Sequence, residues 1–293
     1  MSSMPDAVHA LVADAVGAVF AVSPIRGGDT SRAARVLTSD GVVFVKWGDA
    51  PAGETYAAEA DGLGALAVAA PPSVVLPDVL AQRAPDADGP GALVLTWLMP
   101  GDARRADWRG FGQTLSALHH APVPSTGYGW HADTWIGSKP QRNTWQDDWP
   151  SFFGAYRLLA QAEHVRGLGA WDAAWDALLD RLVARLPDLL PRSPRRSLVH
   201  GDLWAGNVMP LKTGAFALID PAVYVGDAVV DLAMMHLFGG FGDAQAGYED
   251  ASPLPDDWER RFEIYNLFHL INHLTHGAAY RAPVEATLRR YGG

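Results

Sequence analysis

The chain contains no cysteine. That absence removes disulfides, thiolate nucleophiles, thiol redox sensing and Cys-ligated zinc together, and it suits a reducing compartment. Long hydrophobic runs are also missing. The apolar stretch over residues 7–25 is interrupted by His9 and Asp14, and the Ala-rich stretch from Leu63 is cut by Pro71 and Pro72. A membrane-spanning helix needs ~20 nearly uncharged residues. The first basic residue is Arg26, so a secretory leader would lack its cationic start. Positive charge is scarce: 23 Lys and Arg against 33 Asp and Glu leave a net −10 at pH 7. That balance excludes a generic nucleic-acid binder, which must meet phosphates with a basic surface. Lysine is the scarcest cation. Only Lys46, Lys139 and Lys212 are present, and the remaining 20 basic residues are arginine. A compact ammonium and a planar guanidinium are not interchangeable, so each retained lysine invites a functional question.

What is present is a globular composition: 293 residues, 48% hydrophobic and 19% charged. The length allows one large domain or two lobes. Val8, Leu11, Val12, Ala15 and Val19 recur at helical steps and predict a helix over residues 4–22. Residues 33–37 and 42–47 read as strands joined by a turn at Ser39-Asp40-Gly41. A helix is expected over residues 55–70, and further strands over 74–80 and 92–98. Beyond Pro100-Gly101 the character becomes helical, with helices expected at 108–120, 149–164, 170–190, 227–238, 257–280 and 283–291. A loop is expected over 198–209 and a short strand over 216–220. The division is a strand-rich lobe at 1–97 followed by a larger helical lobe at 98–293.

The strongest segment is His200-Gly201-Asp202-Leu203-Trp204-Ala205-Gly206-Asn207, with Asp220 ending the apolar strand Ala217-Leu218-Ile219. An Asp followed five residues later by an Asn, and by a second Asp beyond a strand, is the spacing of a kinase catalytic loop and its metal-binding aspartate. The chemistry needs a carboxylate facing the acceptor hydroxyl. It also needs an amide oxygen and a carboxylate converging on magnesium, which takes oxygen ligands. Taken alone, a His-Gly-Asp tripeptide is an ordinary turn. The N-terminal half supplies the complement: Lys46 on an alternating strand and Glu59 thirteen residues later on a helix, in the order of a phosphate-holding lysine and its orienting glutamate. Glu54 and Asp61 are rival carboxylates for that role. Gly27 and Gly28 precede the first strand and would let the backbone approach phosphates closely. Thr96, Trp97 and Leu98, ahead of Pro100, stand where a hinge would meet adenine.

The segments Leu198–Asn207, Ile219-Asp220-Pro221-Ala222-Val223-Tyr224 and Asn143-Thr144-Trp145-Gln146-Asp147-Asp148-Trp149 closely resemble those of the fructosamine-3-kinases, also called ketosamine-3-kinases. Leu237-Phe238-Gly239-Gly240-Phe241 and residues 265–273 extend the resemblance, which runs from Gly27 to the C-terminal helix. The tryptophan after His-Gly-Asp-Leu and the Trp-Gln-Asp-Asp-Trp run separate this family from aminoglycoside and choline kinases.

The resemblance implies a two-lobed, protein-kinase-like α+β fold and ATP-dependent phosphorylation of the sugar 3-hydroxyl of a ketosamine. The unstable 3-phosphate then eliminates and frees the amine. By the same resemblance Asp202 is the catalytic base, Asn207 and Asp220 hold Mg2+, and Lys46 with Glu59 serves the phosphates. Trp204 lies against the sugar, and Trp145 is a second candidate for the substrate wall. Three departures stand out. Thr96 occupies a hinge position that is usually acidic in the family. Ala228 follows Gly226-Asp227 where an arginine is common. The cysteine that makes some members redox-responsive is missing.

His269, His273 and His276 share one helix face with Asn266. Three imidazoles so spaced could ligate zinc. With no acidic or cysteine ligand beside them, and a similar Asn-His pattern in the family, they read as polar packing or a substrate wall, with His273 the candidate contact. The expected partners are small ketosamines or glycated proteins, with no nucleic acid and no membrane; a monomeric, cytoplasmic protein is favoured. The rivals are another small-molecule kinase of the aminoglycoside or choline type and a non-catalytic nucleotide-binding scaffold.

Overall fold

The computed structural model describes residues 4–25 and 31–293. Gly27 and Gly28 lie outside the described residues. The chain forms two compact units. One comprises Met1–Ala106, Thr134–Lys139 and Val208–Ala222, and the other Asp107–Asp133, Pro140–Asn207 and Val223–Gly293.

The first unit is built on an antiparallel five-stranded sheet. Its strands are β1 (Val19–Ile25), β2 (Arg32–Thr38), β3 (Gly41–Gly48), β5 (Val79–Arg83) and β6 (Gly91–Thr96), in the order β1-β2-β3-β6-β5. A short strand β4 (Val74–Val75) runs parallel to Phe216–Leu218, which pairs in turn with Val208–Pro210. Helix α1 (Asp6–Val16) covers one face of the large sheet and α2 (Thr55–Ala69) the other.

The alternation of β3 decides where its polar residue goes. Successive side chains on a strand point to opposite faces. Val43, Val45 and Trp47 therefore join Val8 and Val12 of α1 in one cluster. Phe44 packs on the other side with Tyr56 and Leu63 of α2 and with Leu93 and Leu95 of β6. Lys46 shares the Phe44 face by the same period, which puts it toward α2. Each fully buried Val or Leu here contributes about 1.5–3 kcal/mol relative to exposure, so the register of β3 is strongly held.

The helix expected over residues 4–22 is shorter than its apolar pattern. It stops at Val16, the chain turns at Gly17 (φ 79°), and Val19–Ile25 is the exposed edge strand β1. A continuous apolar run such as Val19-Phe20-Ala21-Val22 carries no period that separates strand from helix. The single strand expected over 74–80 is two strands, β4 and β5, with Pro77 between them.

The second unit is mainly helical: α3 (Trp108–His120), α4 (Trp149–Phe153), α5 (Ala160–Gly167), α6 (Asp176–Leu189), α7 (Val229–Phe238), α8 (Ala244–Ala251), α9 (Trp258–His273) and α10 (Arg281–Gly292). A π-helical turn over Gly154–Leu159 joins α4 to α5. Strand Arg196–Val199 pairs antiparallel with Tyr224–Asp227. Trp149, fully buried, anchors an aromatic core with Phe152, Phe153 and Tyr224, and its Nε1 donates to Tyr265 Oη at 2.8 Å. Asp148 caps α4 by accepting from the Ser151 amide at 3.0 Å. Helix α8 has no counterpart among the sequence expectations; Ala-Gln-Ala-Gly-Tyr-Glu-Asp-Ala carries too little apolar periodicity to announce it. Among the described residues no helix is long and apolar enough to cross a membrane.

Candidate active site

In the first unit, Lys46 is buried between two carboxylates. Its Nζ forms an ion pair with Glu59 Oε2 and another with Asp220 Oδ1 at 2.6 Å. Glu59 sits on α2 and Asp220 follows the strand Phe216–Leu218. Of the three carboxylates that the sequence offered for the lysine, the fold selects Glu59. Burial alone would lower the Lys46 pKa, but the two carboxylates outweigh it and hold the ammonium firmly charged. Burial pushes the Glu59 carboxyl up to about 7, against the pull of Lys46 and with the charge of Asp220 adding to the rise. Glu59 Oε1 is buried with no hydrogen-bond partner among the described residues, which is part of that desolvation cost.

Asp220 has φ 51°, the one positive value at a non-glycine among the described residues. Asp tolerates the left-handed region better than most residues, at a cost of order 1–3 kcal/mol that clusters at functional sites. Its side chain is 53% exposed although it engages Lys46.

Thr96, at the end of β6, ties the strand to the preceding segment: its Oγ1 accepts from the Asp78 amide at 2.9 Å and its own amide donates to Asp78 O at 3.0 Å. Trp97 lies under the Arg35 guanidinium, 5.6 Å from the ring centroid. Thr96, Trp97 and Leu98 are half-buried.

In the second unit, Leu203 and His200 are buried, while Asp202 is half-buried and Trp204 is 43% exposed. Asn207 Nδ2 donates to Asp202 O at 2.9 Å and to Asp202 Oδ2 at 3.1 Å. The Asn amide thus fixes the Asp202 carboxylate and its backbone carbonyl together. The outer edge of the Trp204 indole lies close over Gly206, so that a Cβ there would meet the ring unless the indole moved.

The loop hangs from a residue that sequence reasoning missed. Asp231, 1% exposed on α7, accepts from the backbone amides of His200 at 2.7 Å and Gly201 at 2.9 Å. His119 Nε2 meets the same carboxylate at 3.1 Å. Burial by itself would raise the Asp231 pKa; the hydrogen bonds from His119 and the Gly201 amide reverse this and hold it below the usual carboxylate value. The available signal was a lone acid inside the apolar run Val229-Val230-Asp231-Leu232-Ala233, since a buried charge requires partners.

The remaining candidates lie on other segments of this unit. Trp145 is 43% exposed, with its ring beside Gly127. His273 is half-buried at the end of α9 and makes tilted ring contacts with Phe238, His276 and Tyr280 at centroid distances of 5.2, 5.2 and 5.0 Å. Residue Gly240, two positions beyond Phe238, packs on Ala205 of the loop. His269 is buried, and burial with the neighbouring His273 lowers its pKa to about 3, so its ring is neutral.

A fructosamine kinase family model matches residues 4–291. The chain belongs to the fructosamine kinase family. It is 36% identical over 269 residues to a probable ketoamine kinase of Synechocystis sp., covering 91% of this chain and 88% of that protein. A chloroplastic protein-ribulosamine 3-kinase of Oryza sativa is 29% identical over 274 residues, covering 93% and 79% of the two chains. A crystal structure from Thermobifida fusca with a provisional fructosamine-3-kinase designation superposes with a TM-score of 0.82 at 29% identity, over 96% of this chain and 97% of that one. An aminoglycoside phosphotransferase superposes with a TM-score of 0.68 at 17% identity, over 98% of this chain and 99% of that one, a likeness of fold alone.

Proposed function

We propose that this chain is an ATP-dependent ketosamine 3-kinase. It transfers the γ-phosphoryl group of ATP to the 3-hydroxyl of a sugar-amine adduct, and elimination of the product frees the amine. The observation that carries the reading is the family match across residues 4–291 in a chain whose sequence carries Lys46, Glu59, Asp202, Asn207 and Asp220.

Phosphoryl transfer passes through a loose transition state with little covalent work for the protein, so positioning and electrostatics dominate. Lys46, fixed by Glu59, binds ATP phosphate oxygens. Asp202 accepts a hydrogen bond from the acceptor hydroxyl, orients it and takes its proton. Asn207 and Asp220 fit Mg2+ by donor chemistry, because an amide oxygen and a half-exposed carboxylate are both hard oxygen ligands. Bound magnesium supplies charge neutralisation on the phosphates. Thr96, Trp97 and Leu98 serve adenine, and Gly27 and Gly28 the phosphates. Trp204 offers the sugar a flat apolar face with a polar edge, and His273 and Trp145 are further substrate contacts. Ribulosamines and erythrulosamines are the preferred adducts, in keeping with the ribulosamine 3-kinase name of the rice relative. The enzyme works as a cytoplasmic monomer, where ATP is plentiful.

The test is ATP consumption with ribulosyl-lysine, fructosyl-lysine, free ribulose and kanamycin, with the product position assigned by phosphorus NMR. The expected order of kcat/KM is ribulosyl-lysine, then fructosyl-lysine, with free ribulose and kanamycin far behind. Preference for kanamycin, or phosphate on another hydroxyl, refutes the ketosamine reading.

A further inference from the structure

The buried contacts of Asp231 continue past His119. Tyr248 Oη lies 3.2 Å from His119 Nδ1, on the opposite side of the ring from Asp231. Tyr248 is 4% exposed and His119 is fully buried. We infer that Tyr248, on α8, is a positioning residue for phosphoryl transfer: its hydroxyl fixes the His119 ring so that Nε2–H points at Asp231, and Asp231 in turn holds the loop that carries Asp202. The inference rests on the kinase reading above.

The direction of each hydrogen bond follows from the chemistry of its ends. An ionised carboxylate only accepts, so His119 Nε2 must carry a proton. In the neutral ring the other nitrogen then has a lone pair to offer, and the phenol donates to it. Burial, with Asp227 and Asp231 nearby, raises the Tyr248 pKa, which keeps that proton on the hydroxyl. Without the hydroxyl, Nδ1 would be a buried acceptor with no donor. The ring could then move its proton to Nδ1 or rotate, and either change withdraws a donor from Asp231.

The packing of α8 explains how a surface helix can hold a ring so firmly. At Gly112 on α3, a Cβ would overlap the backbone carbonyl of Ala244; at Gly247 on α8, it would overlap that of Arg109. Backbones that touch at two points cannot slide, and Arg109 with Asp250 closes the outer edge through an ion pair at 2.5 Å. Tyr248, adjacent to Gly247, is therefore delivered to His119 at a fixed height.

The experiment uses the full chain and three variants: Tyr248→Phe, His119→Gln, and both together. Gln places an amide nitrogen near Nε2, so it still donates to Asp231 but loses Tyr248. Each single variant is expected to lower kcat ~10-fold, the equivalent of losing one buried hydrogen bond, with KM for ATP within ~2-fold. The double variant is expected to be no worse than either, because both remove the same link. In the wild type, long-range 1H–15N spectra of the His119 ring should show the proton on Nε2, and Tyr248→Phe should alter that pattern. A Tyr248→Phe enzyme that melts earlier but turns over normally would make the residue a packing element only and overturn the inference. So would additive losses in the double variant, or a wild-type proton on Nδ1. The NMR measurement does not depend on the substrate, so the inference can fail while the ketosamine reading stands, and the reverse.

Discussion

Replacing Asp231 with Asn keeps shape and volume and removes a charge. Asp231 Oδ2 accepts from the His200 amide and from His119, and Oδ1 accepts from the Gly201 amide. An Asn that keeps its oxygen at Oδ2 must present NH2 to the Gly201 N–H, so one charge-assisted bond becomes a donor facing a donor. A hydrogen bond to a charged group contributes about 1.5–3 kcal/mol, and a stranded buried donor costs about 1–3 kcal/mol. Taking the two as overlapping, the loss is about 3 kcal/mol. At ~2–4 °C per kcal/mol for a chain of this size class, Tm should fall by ~6–12 °C. Activity should fall further than stability suggests, since a ~1 Å shift of a reacting group costs ~100-fold. The pH dependence carries a definite sign. The folded pKa of Asp231 is depressed, so its contribution to stability is complete above the unfolded carboxylate value of ~4 and is lost as pH falls through the folded value. The Tm gap between wild type and Asp231→Asn should therefore be widest above pH ~5 and shrink in acid. The assays are thermal melts across that pH range and coupled ADP release well below Tm. A variant with Tm within ~2 °C and kcat within ~2-fold of wild type would refute the anchoring role.

Three further outcomes are expected. Lys46→Arg should lose turnover nearly as completely as Lys46→Met, ~100-fold or more, because a forked guanidinium does not fit between Glu59 and Asp220; retained activity in steady-state kinetics would make Lys46 a structural charge. Asp220→Asn should lower kcat by ~100-fold or more with magnesium present, while a chelator silences the wild type to the same degree; an undiminished rate would remove the metal assignment. Trp204→Ala should depress kcat/KM for ribulosyl-lysine ~100-fold with ATP affinity within ~2-fold, measured by ketosamine titration and nucleotide binding; equal losses for both ligands would place Trp204 in the fold rather than against the sugar.

The two-lobed fold class, the order of lysine, glutamate, aspartate, asparagine and second aspartate, and most helices and strands could be read from the chain alone. Short-range rules account for them: period-two alternation placed Lys46 on a strand, helical spacing placed Glu59, and a loop of fixed length fixed the Asp202–Asn207 relation. Tertiary structure decided what depends on distance in space. It selected Glu59 over Glu54 and Asp61, because the face of α2 that meets β3 is set by packing. It cut the first helix at Val16 and made an edge strand of Val19–Ile25, because backbone pairing overrides an apolar run that has no period of its own. Asp231, His119 and Tyr248 come from three helices more than a hundred residues apart at the extremes. Nothing local links them. A buried carboxylate must find donors, and only the folded chain shows which amides and which ring supply them.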